Sequence, residues 1–212
     1  MAKVSRNDTL WYPTVFMIIL AFVMTLILAL LDYGTKDKIE LQQKAIFEQK
    51  LLYAMNIDFA DAQEAEKIFD EKVEVLPIDF MDTSGLLLEP NYYVYRENGE
   101  VQSYAFPVSG KGLWGTIDAF VAMDKDMEHM IGMDILSHSE TPGLGGRIEE
   151  DWFKEQFRGL SLALQDGKYF SYPPEAGSNI EAITGATLTS GSMRDLLNEN
   201  VIKIKENFKG VK

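Results

Sequence analysis

The first pattern along the chain is an apolar block, Leu10–Leu31, interrupted only by Pro13 and the uncharged Thr14 and Thr25. A helix of that length, at 1.5 Å per residue, reaches roughly 30 Å, the thickness of a bilayer core. A cleaved leader has an apolar region of about 7–15 residues and a small-residue cleavage site. This block instead runs directly into Asp32 and Tyr33, so it is read as a transmembrane helix over 10–31. Trp11, Tyr12 and Tyr33 mark its edges as interfacial aromatics. Lys3 and Arg6 precede it and predict a cytoplasmic segment 1–9, against which Lys36 and Lys38 weigh on the far side. Asp32–Lys212 is then expected outside the cytoplasm.

Past the membrane block, Ile39, Ile46, Leu51, Leu52 and Met55 recur among Lys, Glu and Gln, predicting a helical stalk over 32–58. Asp61–Glu71 predicts a second, short helix opened by acidic residues that suit its dipole. Val73–Leu76 is strand-like, and Pro77 and Pro90 bracket a loop. From Tyr92 the period becomes two: YYVYRENGEVQSYAFPV reads as two strands about an Asn98-Gly99 turn, and Thr116–Met123 and Met130–Leu136 as two more. Arg194–Phe208 is amphipathic and predicts a last helix. Residues 59–212 are therefore expected to form one α+β domain, an antiparallel sheet flanked by helices.

Composition narrows the chemistry. With 46% hydrophobic and 25% charged residues in 212, the chain has ordinary globular content. It has no cysteine, which excludes disulfides, thiolate metal sites, cysteine nucleophiles and a lipid-modified N-terminal cysteine. A net charge of −13 argues against nucleic acid as a partner. No Ser-His-Asp order and no metal-spaced cluster emerges, so neither catalytic nor metal-ligating residues are predicted. No G-x-G-x-x-G follows a strand, so no NADH site is expected in this chain.

Three segments remain. Trp114 stands between glycines in Gly112–Gly115, a costly exposure unless its ring covers something. His138–Gly146 holds Pro142 and three glycines, which permit unusual backbone angles and close ligand approach. Glu181–Met193, EAITGATLTSGSM, places small residues and hydroxyls just before the last predicted helix. Its plain reading is an N-cap; its sharper one is a phosphate site at a helix start.

Thr184-Gly185-Ala186-Thr187 resembles the flavinylation motif of covalent-FMN domains, in which a threonine hydroxyl carries FMN through a phosphoester. The family has an acidic residue three positions earlier, with aspartate preferred; here it is Glu181. By resemblance the acceptor is Thr187, with Thr189 the competing candidate. The order GLWG, H-x-ETPGLGG, W-F-x-x-Q-F (Trp152–Phe157) and TGATLTSG resembles the FMN-binding C subunits of sodium-pumping NADH:quinone oxidoreductases, homologous to the G subunits of Rnf ferredoxin:NAD oxidoreductases.

That resemblance implies an electron-transfer subunit, carrying FMN, of an ion-translocating NADH:ubiquinone reductase in the bacterial inner membrane, its soluble domain periplasmic. Its partners are the other members of the complex and, during maturation, a flavin transferase. It further implies that Glu140 and Thr141 hydrogen-bond the flavin, that Leu144 and Trp114 pack on its ring, and that Gly145, Leu188 and Thr189 complete the site. His138 is a candidate neighbour, and His129 is assigned to the surface. The alternatives are an Rnf G subunit or stand-alone anchored flavoprotein, and a structural subunit with a vacant pocket.

Overall fold

The computed structural model describes residues 8–79, 90–165, 167–175, 177–208 and 210; Lys3, Arg6 and most of the loop between Pro77 and Pro90 lie outside the described residues. The first element is one unbroken helix, α1 (Asp8–Ala54), with Pro13 inside its first turns. The predicted membrane block and stalk helix are thus continuous. The chain divides into two units, Met1–Lys44 and Ala45–Lys212.

In the first unit the side chains from Trp11 to Leu31 are exposed, including Phe16, Ile18, Leu28 and Leu30. Apolar side chains on every side of a helix, rather than along one stripe, suit lipid and not the edge of a soluble core. The helix is long and apolar enough to cross a membrane.

The second unit is a five-stranded antiparallel meander, β1 (Val73–Pro77), β2 (Asn91–Glu97), β3 (Glu100–Lys111), β4 (Thr116–Asp124) and β5 (Met130–Ser137), in the order β1-β2-β3-β4-β5. The β2–β3 turn is the expected one: Asn98 at φ 52° and Gly99 at φ 83° supply the positive angles a two-residue hairpin requires. Strand alternation decides which residues face which layer. Tyr92, Val94, Tyr104, Phe106, Ala119 and Val121 face α4 (Thr187–Asn207), which contributes Met193, Leu196, Leu197 and Val201. Tyr93, Ala105, Phe120 and Ala122 face the other way, onto Leu51, Ala54 and Met55 at the end of α1 and Phe69 of α2 (Ala62–Lys72). The sheet is therefore covered on both sides by helices. Asp61 caps α2 through the N–H groups of Gln63 and Glu64.

One helix expectation is corrected. The W-F-x-x-Q-F segment carries a short helix, α3 (Asp151–Glu155), after a 3₁₀ turn over Gly145–Glu149; its job is to drive Phe153 and Phe157 into the core. The last helix begins at Thr187, two turns before Arg194. Its hydroxyl- and glycine-rich start has poor intrinsic propensity, but Thr189, Ser190 and Met193 are buried there, so packing overrides propensity.

Candidate functional site

Three segments distant in sequence converge at one end of the sheet: the β3–β4 connection, the turn after β5, and the first turn of α4. Between them lies a cavity of about 370 Å³ lined by Leu113, Trp114, Glu140, Thr141, Leu144, Gly145 and residues 185–189. That volume lies within the range of small-molecule and cofactor pockets. The predicted residues Trp114, Glu140, Thr141, Leu144, Gly145, Gly185, Ala186, Thr187, Leu188 and Thr189 all line it. Leu113 was not singled out, although its place between Gly112 and Trp114 was the signal available.

The walls are apolar and open. Trp114 is 70% exposed and Leu188 68%, with Leu113 and Leu144 also exposed. Single exposed apolar residues are commonplace, but four large ones around a concavity mark a binding surface. At the back, α4 starts without help: Ala186 is in the cap position and no side chain caps the helix. The plain N-cap reading of the Ser/Thr cluster is therefore set aside. The first-turn N–H groups and the positive end of the helix dipole are left to an anion. Ser190 is used elsewhere, its Oγ accepting the Ile183 N–H at 2.9 Å and folding 183–186 back onto the helix. Thr187, the first residue of α4, is exposed, whereas Thr189 is 2% exposed.

Glu140 forms the floor and is 4% exposed. Its Oε1 accepts the N–H groups of Leu113 at 2.8 Å and Trp114 at 3.1 Å, and its Oε2 accepts the Thr189 hydroxyl at 2.5 Å. This engagement with the protein itself could not be read from the sequence. The glycines next to it leave the carboxylate its space. A Cβ on Gly112 would lie 2.6 Å from Oε1, and one on Gly145 would lie 2.7 Å from Oε2 and 2.5 Å from the Thr189 Oγ. In the turn after β5 only Gly143 uses a positive φ, 74°. The Leu144 and Gly146 N–H groups both close onto the Thr141 carbonyl. His138 supports this turn, its Nδ1 accepting the Glu140 N–H at 3.0 Å.

Two members of the predicted motif lie apart. Glu181 belongs to a separate open groove of about 620 Å³, with Trp152, Gln156, Pro173 and residues 178–180. The Gln156 amide holds the backbone of Glu181 on both sides, accepting its N–H at 2.6 Å and donating to its carbonyl at 3.4 Å. Thr184 is exposed and lines neither concavity. His129 is at the surface, paired with Asp124 at 3.0 Å. Among the described residues no cluster of His, Asp and Glu could hold a metal ion.

The donor set fits a cofactor with an anionic end and a flat apolar end: an uncapped helix start, an exposed threonine on it, and an aromatic and aliphatic rim. Residues 112–201 match the FMN-binding domain family. The chain is similar to the C subunit of the Na⁺-translocating NADH-quinone reductase of Pasteurella multocida, 32% identical over 171 residues that cover 70% of this chain and 66% of that protein. It is also similar to the G subunit of the proton-translocating ferredoxin:NAD⁺ oxidoreductase complex of Clostridium ljungdahlii, 26% identical with 96% of each chain covered. The chain spans 57–66% of the length of the first NADH-quinone reductase relatives it matches. The crystal structure of the corresponding C subunit from Parabacteroides distasonis has the same fold, with a TM-score of 0.64 at 22% identity, covering 83% of this chain and 98% of that one.

Proposed function

We propose, from the premise that this chain belongs to the FMN-binding domain family, that it is the C-type electron carrier of a membrane Na⁺-translocating NADH:quinone oxidoreductase, with FMN joined by a phosphoester to Thr187. Bound there, FMN supplies the electron chemistry and the protein supplies binding, orientation and electrostatics. The α4 start stabilises the phosphate, Trp114, Leu144 and Leu188 wall the ring, and Thr141 offers a polar side chain at the rim. The NADH and quinone sites belong to other members of the complex. A flavin transferase loads the threonine, reading the exposed residues of the motif, Glu181, Thr184, Gly185 and Thr187. Residues 10–31 cross the inner membrane, and the chain beyond them forms the stalk and the periplasmic FMN domain; the expected stalk, 32–58, is corrected at its far end, since from Ala45 on it belongs to the domain and Leu51, Ala54 and Met55 are part of its core.

The observation that carries this reading is the different state of the two threonines. Thr187 presents a free edge of the pocket, whereas Thr189 already gives its only hydroxyl proton to Glu140. A phosphoester on Thr189 removes that proton and sets a phosphate against a carboxylate. Two like charges about 4 Å apart repel by about 4 kcal/mol at an effective dielectric of 20. The test is the mass of the denatured chain together with in-gel flavin fluorescence. Thr187→Ala should lose the added FMN and Thr189→Val should keep it; FMN retained on Thr187→Ala overturns the assignment.

A second reading, the G subunit of an Rnf-type complex, is favoured by one fact, the 96% coverage of both chains in the match to the Clostridium ljungdahlii protein. The proteins that co-purify with the chain separate the two.

A further inference from the structure

Glu140 is the one buried charged residue in the pocket lining, and its bonds lead to two segments that share no strand and no helix. Oε1 holds the Leu113 and Trp114 amides of the β3–β4 connection, and Oε2 holds the Thr189 hydroxyl in the first turn of α4. One wall of the pocket, Trp114, is thereby referred to the opposite wall, Thr187 and Leu188, through a single carboxylate. All three bonds have Glu140 as acceptor, and a carboxylate has no proton to give. Hydrogen bonds to a charged group are about twice as strong as neutral ones. The two glycines that crowd Oε1 and Oε2, Gly112 and Gly145, admit no Cβ without displacing the carboxylate.

We propose that Glu140 is a positioning residue: a buried carboxylate clamp that sets the spacing and angle between the Trp114 wall and the α4 start, and so the seat of the flavin ring, without itself donating to the flavin. This deepens the flavin reading of the pocket and rests on it. It also changes what the glycines of GLWG and GLGG are for: Gly112 and Gly145 make room for Glu140 rather than for the ligand.

The test uses the full chain in detergent, before and after flavin loading. In the flavin-free protein, amide hydrogen exchange at Leu113 and Trp114 reports the clamp alone. Glu140→Ala should raise exchange there about tenfold or more, the scale of one hydrogen bond to a charged group. Glu140→Gln, which keeps an acceptor at Oε1, should restore most of the protection. In the loaded protein, visible circular dichroism of the flavin reports how the ring is seated. Thr189→Val cuts only the α4 side of the clamp, so it should change that spectrum while the Leu113 and Trp114 amides stay protected and the denatured mass still carries FMN.

Parental exchange at both amides in Glu140→Ala overturns the proposal. If Glu140→Ala fails to fold, Thr189→Val decides: a parental flavin spectrum means the clamp does not seat the ring, and the proposal falls. Absence of FMN from the parent chain's mass would remove the flavin reading, while the exchange measurement would still decide the clamp by itself.

Discussion

Gly145→Ala puts the packing around Glu140 to a quantitative test. The new Cβ lies 2.5 Å from the Thr189 Oγ, 2.7 Å from Glu140 Oε2 and 3.1 Å from the Glu140 Cβ. Ordinary contact begins near 3.4 Å, so the first two atoms must retreat by close to an ångström. Neither is the loose end of a flexible side chain. They are bonded to each other, and the carboxylate is also tied to the Leu113 and Trp114 amides. Overpacking costs about 1–3 kcal/mol, and losing a hydrogen bond to a charged group about 1.5–3 kcal/mol. Replacing glycine returns about 0.4–1 kcal/mol through the unfolded chain. The net expectation is a destabilisation of about 2–4 kcal/mol, the three terms overlapping because one displacement causes the first two. Urea unfolding of the detergent-solubilised chain, followed by tryptophan fluorescence, measures it. The control is Gly191→Ala, in the same helix as Thr189, where a Cβ meets nothing within 4 Å and helix propensity predicts a gain of up to about 1 kcal/mol. A Gly145→Ala cost below about 1 kcal/mol would refute the claim that this glycine exists to admit the carboxylate.

Glu140→Gln keeps the side chain's shape and removes its charge; a negative charge beneath the flavin opposes added electrons, so the midpoint potential should rise in a redox titration, and an unchanged potential would mean the carboxylate is electrostatically remote from the ring. The Lys3 and Arg6 flank predicts that protease added to intact spheroplasts removes the domain beyond residue 32, and digestion only in inverted vesicles would reverse that topology. Burial pushes the Asp124 carboxyl up, but the His129 N–H and ring and the Glu128 N–H outweigh it and leave it below the usual aspartate range. Its contribution to stability is therefore complete above an unfolded value of about 3.9 and is lost as the pH falls through the lower folded value. Asp124→Asn should flatten the acid limb of stability against pH, and an unaltered limb would assign acid sensitivity to other groups.

What the sequence disclosed and what it withheld divide by range. The strands were legible because period two is local: Tyr92 to Val94 and Tyr104 to Phe106 alternate between two cores, and Asn98-Gly99 carries its turn chemistry in two residues. The pocket rim was legible because its residues sit in short, unusual segments that a resemblance could recognise. The start of α4 was misplaced because Thr187–Ser192 lacks the composition of a helix, and only burial of Thr189, Ser190 and Met193 against the rest of the domain holds it in one. The role of Glu140 was withheld entirely. Its partners lie 26, 27 and 49 residues away in sequence, and no periodicity or propensity joins such positions. The same holds for Gln156, which seizes the backbone of Glu181 from 25 residues away.

This last bond has a functional consequence for the motif that first drew attention to the segment. Glu181 and Thr187 read as one signal in sequence, yet they address different concavities, and the backbone between them is held at two points, by Gln156 at Glu181 and by Ser190 at Ile183. The exposed part of the motif is thereby reduced to Thr184, Gly185, Thr187 and the Glu181 side chain, held on a fixed frame. A fixed frame costs a partner little ordering entropy on approach. Of the two threonines exposed on it, Thr184 and Thr187, only Thr187 stands at the uncapped helix start, the kind of position that stabilises an anion.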